Sequence, residues 1–174
     1  MIFVVGLLVP RKGQIYAVEA LAQLLEAHPN AHLVLVGDGD DRDMLEAQVA
    51  QRGLRSNVTF TGYRTDVEGL LAGCDILLHP SPTAELLPYS IKEAMARGLP
   101  CVATDVGATR ELVEHRTTGL LIPPGDSAAI AEALSMLLDD ETLRGDVGAA
   151  ARERIDQHFS MADAMRKMTA IYNG

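Results

Sequence analysis

Short, solidly apolar runs alternate along this chain with segments whose apolar residues recur at helical spacing, and that alternation constrains the fold more than any other feature. The runs are IFVVG (2–6), AHLVLVG (31–37), NVTFTG (57–62), DILLHP (75–80) and PCVATD (100–105), with a shorter sixth in GLLIPPGD (119–126). Helical spacing is carried by QIYAVEALAQLLEAHP (14–29), DDRDMLEAQVAQRG (40–53) and TDVEGLLAGC (65–74), with Thr65 placed to cap the last. Residues 127–174 read as helical, with Asp126 capping their start and a break near Phe159. A strand without a polar face must be covered on both sides, so the runs predict a parallel sheet linked by right-handed helical crossovers. The expected fold class is α/β: a doubly wound, Rossmann-like parallel sheet of about six strands with helices on both faces. No repeat, low-complexity segment or linker divides the 174 residues, which read as one domain, 1–174. Ligands of such sheets bind beyond the carboxyl ends of the strands, which singles out the segments after Gly6, Gly37, Gly62, Pro80 and Asp105.

Composition narrows what such a sheet could serve. Apolar residues make up 48% with no tryptophan, so the core is aliphatic. The formal net charge of −9 excludes general nucleic-acid binding, which needs a basic surface to displace counterions. The apolar opening, MIFVVGLLVP, falls well short of the ~20 residues that span a bilayer and lacks the basic start of a signal peptide. It reads as a buried strand, and no transmembrane segment is expected. Cys74 and Cys101 sit in or beside strand patterns as small buried hydrophobes, and they fit a reducing, cytoplasmic setting.

The most informative stretch is HPSPTAELLPYSIKEAMARGLP (79–100), which puts Glu85 and Glu93 just after the fourth strand with seven residues between them. Each has an ordinary reading. Ser90-x-x-Glu93 has the form of a capping box, and Glu85 can be a solvated turn residue. Their joint placement opens another. Free backbone amides near Leu86 to Ser90, at a helix N-terminus, form an anion site with a carboxylate on either side. Carboxylates repel phosphate but accept hydrogen bonds from hydroxyls, so the layout suits a diphosphate between two hydroxyl-bearing rings, as in a nucleotide sugar. Arg11 and Lys12, in VGLLVPRKG after the first strand, are either a solvated loop pair or cationic partners for that diphosphate.

Other features have structural readings. Asp38-Gly39-Asp40 resembles a metal-binding Asp-x-Asp, but Asp38 to Asp43 suit the first turn of a helix, and Arg42 occupies the third glycine position of a dinucleotide fingerprint. His79 reads as an ordinary hydrogen-bonded strand-end histidine rather than a ligand contact, and no Gly-x-Ser-x-Gly elbow supports serine hydrolysis.

VPRKG, LVLVGDGDDRDMLE, VTFTGYRTDVEGLL, HPSPTAELLPYSIKEAMARGLPCVATDVGATRELVE and GLLIPPGD also stand in a familiar order and spacing. With them the chain resembles the C-terminal domain of family-four glycosyltransferases, retaining enzymes of the GT-B fold. The resemblance runs through the closing DQHFSMADAMRKMTAIY, and Glu-x7-Glu followed by AMARGLP is its most specific element. It implies that Lys12 contacts the donor diphosphate near Gly6, and that Glu85 binds donor-sugar hydroxyls and steadies positive charge at the anomeric carbon. The backbone of Leu86, Leu87 and Pro88 would cradle phosphate, Glu93 would hold the ribose, and Gly62, Tyr63 and Arg64 would lie near the base. The implied reaction is hexosyl transfer from a nucleotide sugar to an acceptor hydroxyl, with no cofactor or metal.

Two departures from that family's pattern stand out. Leu7 replaces the usual arginine after Gly6, and Leu86 replaces the usual glycine after the first glutamate. A charge-assisted hydrogen bond is worth about 1.5–3 kcal/mol, so losing one weakens donor binding tenfold or more unless Arg11 compensates. The resemblance further implies that an N-terminal, acceptor-binding domain or partner chain completes the cleft. A homodimer through exposed residues such as Met165, Met168 and Tyr172 is expected in its absence. The alternatives are a non-catalytic interaction module retaining the fold, and half of a nucleotide-sugar epimerase.

Overall fold

The computed structural model describes residues 1–159 and Thr169; Met165, Met168 and Tyr172 lie outside the described residues. Six strands form one sheet: β1 (Ile2–Val5), β2 (Leu33–Val36), β3 (Val58–Gly62), β4 (Ile76–His79), β5 (Cys101–Thr104) and β6 (Leu120–Ile122). All neighbours are parallel, in the order β3-β2-β1-β4-β5-β6. The helices are α1 (Gln14–Leu24), α2 (Arg42–Gln51), α3 (Val67–Leu70), α4 (Tyr89–Ala96), α5 (Thr109–Leu112), α6 (Ser127–Asp139) and α7 (Glu141–His158). The expected doubly wound sheet is what the chain forms.

The two cores follow from the period of two along each strand. Ile2 and Val4 of β1, with Leu33 and Leu35 of β2, pack into a layer completed by α1 and α6. Phe3 and Val34 point the other way, into a layer completed by Ile91, Ala94 and Met95 of α4 and Ala151 and Ile155 of α7. Both faces are apolar because both are covered. Each fully buried aliphatic side chain contributes about 1.5–3 kcal/mol. Cys74 and Cys101 are unpaired and buried, and burial pushes the Cys74 thiol up to about 12.

The topology also locates the crevice. The chain leaves β1 outward through β2 and β3, then returns to lay β4 against the other side of β1, with Ile2 paired to both Leu33 and Ile76. Strand order therefore reverses between β1 and β4, where the loops leaving their carboxyl ends part to opposite sides.

Local structure departs from expectation mainly at helix ends. Asp126 caps α6 as anticipated, its Oδ1 accepting from the Ala129 amide at 2.9 Å. Ser90 does not cap α4. The helix begins at Tyr89 behind an extended Pro88, so Ser90 lies inside the first turn and no capping box forms. Thr65 does not cap α3 either; Asp66 holds that position, and both its oxygens are engaged by Arg64. At α2 the N-cap is Asp41 in a helical conformation, from which its side chain makes no capping bond. The C-terminal helical region breaks at Asp140, whose Oδ1 accepts from the Leu143 amide at 2.8 Å, as well as at Phe159.

Candidate functional site

Two loops meet at the switch point. The first leaves β1 through Gly6 and Leu7, makes a 3-10 turn over Pro10–Lys12, and enters α1 through Gly13. The second runs from Pro80 to Pro88, between β4 and α4. Gly13 is what brings them together: it sits at φ +70°, and a side chain there would collide with the carbonyl of Pro80. Behind the second loop, Gly107 at φ +52° leaves no room for a side chain against the backbone of Glu85, and the Ala108 amide donates to the Glu85 carbonyl at 2.9 Å.

This packing delivers Lys12 and Glu85 to each other. Lys12 Nζ donates to Glu85 Oε1 at 2.7 Å, and Arg11 reaches the same oxygen at 3.9 Å. The Lys12 and Glu85 side chains are largely buried, while Arg11 is 57% exposed. Burial by itself would raise the Glu85 carboxyl. Hydrogen bonds from Lys12 and Ser81, with the charge of Lys12, outweigh burial and hold it below the usual carboxylate range. The carboxylate is therefore ionised at neutral pH and available as an acceptor.

Beneath the pair lie Ser81 and Thr104, which the motif reading did not single out, and His79, which it read as structural. Ser81 is fully buried, and its Oγ lies 3.0 Å from Glu85 Oε1 while also donating to the Arg11 carbonyl. Thr104, at the end of β5, donates in turn to the Ser81 carbonyl. The only sequence signal for Ser81 was its place in Pro-Ser-Pro, four residues before Glu85. His79 is buried, but it is not the hydrogen-bonded strand-end histidine expected: among the described residues its Nε2 has no partner. Burial, with Lys12 nearby, lowers it to about 4, so the ring is neutral at pH 7.

The remaining predicted residues fall into two groups. Leu86, Leu87 and Tyr89 are exposed, with Leu86 at 90%, and the amides of Leu86 and Leu87 make no hydrogen bond among the described residues. Tyr89 and Ser90 open α4, where helix geometry leaves amides unpaired; Pro88 has none to offer. Glu93 lies one turn into α4, half-buried; among the described residues its carboxylate makes no hydrogen bond or ion pair, and nothing ties it to Glu85. Gly6, Tyr63 and Arg64 line a hollow of 220 Å³ over the ends of β1 to β3, walled by Val5, Leu7, Val36 and Val67, and the Lys12 side chain passes over Gly6 at its edge. Arg64 is committed to Asp66 there, through bonds of 2.8 and 2.6 Å.

The arrangement can therefore accept hydrogen bonds from hydroxyls at Glu85, offer cations from Lys12 and Arg11, and present free amides to an anion. Among the described residues no helix is long and apolar enough to cross a membrane.

Comparison with known proteins bears on what binds there. The family model for glycosyl transferases group 1 matches residues 1–154. An alpha-D-kanosaminyltransferase from Streptomyces kanamyceticus is 32% identical over 174 residues, covering 99% of this chain and 45% of that protein. The N-acetyl-alpha-D-glucosaminyl L-malate synthase of Bacillus anthracis is 34% identical over 155 residues, covering 89% of this chain and 40% of that protein. Among solved structures, Anabaena HepE in complex with UDP superposes with a TM-score of 0.93 at 31% identity, over 99% of this chain and 48% of that one. HepE has also been solved with UDP-glucose. The chain thus spans about half the length of the relatives it matches.

Proposed function

Because the chain belongs to the glycosyl transferases group 1 family, we propose that it is the nucleotide-sugar-binding half of a retaining glycosyltransferase, one that transfers a hexosyl group to an acceptor hydroxyl. The observation that carries this reading is the Lys12–Glu85 pair, largely buried at the point where strand order reverses and near the amides of Leu86 and Leu87, which make no hydrogen bond among the described residues. Binding requires Lys12 to leave Glu85 for the diphosphate, with Arg11 and those amides sharing the charge of the departing nucleotide. Glu85 then accepts from hydroxyls of the donor sugar and stabilises the developing positive charge at its anomeric carbon. Glu93, which spends its carboxylate on no protein partner among the described residues, accepts from the ribose diol. The hollow lined by Tyr63 takes the base. A metal is not required, because Lys12, Arg11 and the amides supply the positive potential.

In this reading residues 1–174 are a single Rossmann-like domain, and the acceptor-binding half is contributed by further chain or by a partner. The UDP and UDP-glucose complexes of HepE support the choice of donor class. A cytoplasmic setting belongs to the same reading, and two buried, unpaired thiols agree with it.

Titration calorimetry of the isolated chain with UDP, GDP and ADP tests the proposal. One of them should bind in the micromolar to millimolar range, and Glu93→Ala should weaken it. No binding by any at millimolar concentration overturns the reading. A second reading rests on the exposed Leu7 and Leu86, which suit an interaction module that kept the fold. It requires a stable self-associated form in light scattering together with no nucleotide binding.

A further inference from the structure

We infer that Ser81 is the positioning residue for Glu85: its buried hydroxyl holds one carboxylate oxygen so that the other is presented to a donor-sugar hydroxyl. The inference rests on the donor-binding reading above and adds to it the part of the site that stays in place while ligand enters.

Among the described residues the polar contacts to the Glu85 carboxylate fall on Oε1: Lys12 Nζ at 2.7 Å, Ser81 Oγ at 3.0 Å and Arg11 at 3.9 Å. Among the described residues Oε2 accepts nothing. The side chain is only 12% exposed; Oε1 is committed to these partners, and Oε2 is the oxygen that remains for an incoming donor. The three holders differ in permanence. Lys12 carries a flexible stem and a full charge, and a diphosphate with its greater negative charge draws it away. Arg11 is too far and too exposed to replace it. Ser81 cannot leave. It is fully buried, its carbonyl is taken by Thr104, and the preceding Pro80 is packed against Gly13. Its hydroxyl has one hydrogen and three acceptors in reach, the Arg11 carbonyl at 2.5 Å, Glu85 Oε1 at 3.0 Å and the Thr83 carbonyl at 3.4 Å, so it ties the cationic loop and the carboxylate together at one point. When Lys12 turns to phosphate, the carboxylate gains in acceptor strength and keeps the hydrogen bond donated by Ser81, and its orientation survives the exchange.

The test compares nucleotide with nucleotide sugar on the intact chain, using the pairs UDP and UDP-glucose, and GDP and GDP-mannose. Ser81→Ala should leave affinity for the nucleoside diphosphate within about twofold and weaken the matching nucleotide sugar about tenfold. Glu85→Gln should show the same selectivity, and the double variant should lose no more than Glu85→Gln alone. In the ligand-free chain, carbon NMR of the Glu85 carboxyl should show its titration moving upward in Ser81→Ala, which loss of mere packing would not cause. Equal loss of both ligands, additive losses in the double variant, or an unmoved Glu85 titration overturns the inference. If Ser81→Ala fails to fold, Ser81→Cys, of similar shape with a much weaker donor, must show the same selective loss. A wild-type chain that binds none of the four ligands sinks the donor-binding reading and this inference with it. A wild-type chain whose sugar selectivity survives Ser81→Ala sinks this inference alone.

Discussion

Leu7 is 54% exposed on the loop after β1, beside the glycine over which Lys12 extends, where a group that binds diphosphate would be better served by a cation. Its exposure means that a longer, charged side chain there displaces no core packing, and surface changes of that kind usually stay within about 0.5 kcal/mol. Leu7→Arg should therefore tighten nucleoside diphosphate binding by about tenfold with little change in melting temperature, since a charge-assisted hydrogen bond is worth roughly 1.5–3 kcal/mol. Calorimetry reads the first quantity and thermal melting the second. An unchanged dissociation constant would show that position 7 does not reach the diphosphate. Glu85 and Lys12 were legible as residues because both are charged and both follow a strand. Their direct contact was not, since 73 residues separate them along the chain.

At the scale of elements, the site depends on loops pressed together more tightly than side chains allow. Gly107 combines a left-handed conformation with direct contact to the Glu85 backbone. Gly107→Ala should cost about 2 kcal/mol or more, visible as a melting temperature lower by several degrees, and should also weaken nucleotide-sugar binding by shifting Glu85. Helix caps supply a contrast. Asp140→Ala removes a capping bond seen at the start of α7 and should cost about 1 kcal/mol in denaturant unfolding. Ser90→Ala removes none, because α4 starts one residue before it, and should change stability by less than about 0.5 kcal/mol. A sizeable loss at Ser90 would restore the capping box. The Ser-x-x-Glu pattern misled because Pro88 supplies the extended entry to the helix, so Glu93 never comes opposite an orphan amide at the cap.

For the molecule as a whole, His79 ties stability to pH. Its folded value is about 4 against an ordinary 6.5, so below 6.5 the unfolded chain takes up a proton that the folded chain refuses. The stability it supports is complete above about pH 6.5 and is lost as pH falls toward 4, by an amount on the order of 3 kcal/mol. His79→Leu should flatten this slope in urea unfolding between pH 7 and 4, leaving only the losses from depressed carboxylates such as Glu85 at lower pH. A slope unchanged by the substitution would mean that the ring gains a proton without cost. Read alone, the sequence determined the architecture, because strands apolar on both faces and joined by amphipathic helices have few ways to bury themselves other than a covered parallel sheet. It also put the charged motifs at one edge of the sheet, because they all follow strands. Only the tertiary structure decided how those motifs combine. Burial of Ser81, a ring nitrogen of His79 left without a partner among the described residues, and the seating of Lys12 on Glu85 all arise from contacts between segments tens of residues apart. Local spacing encodes periodicity and reports nothing about which loops the folded sheet brings together.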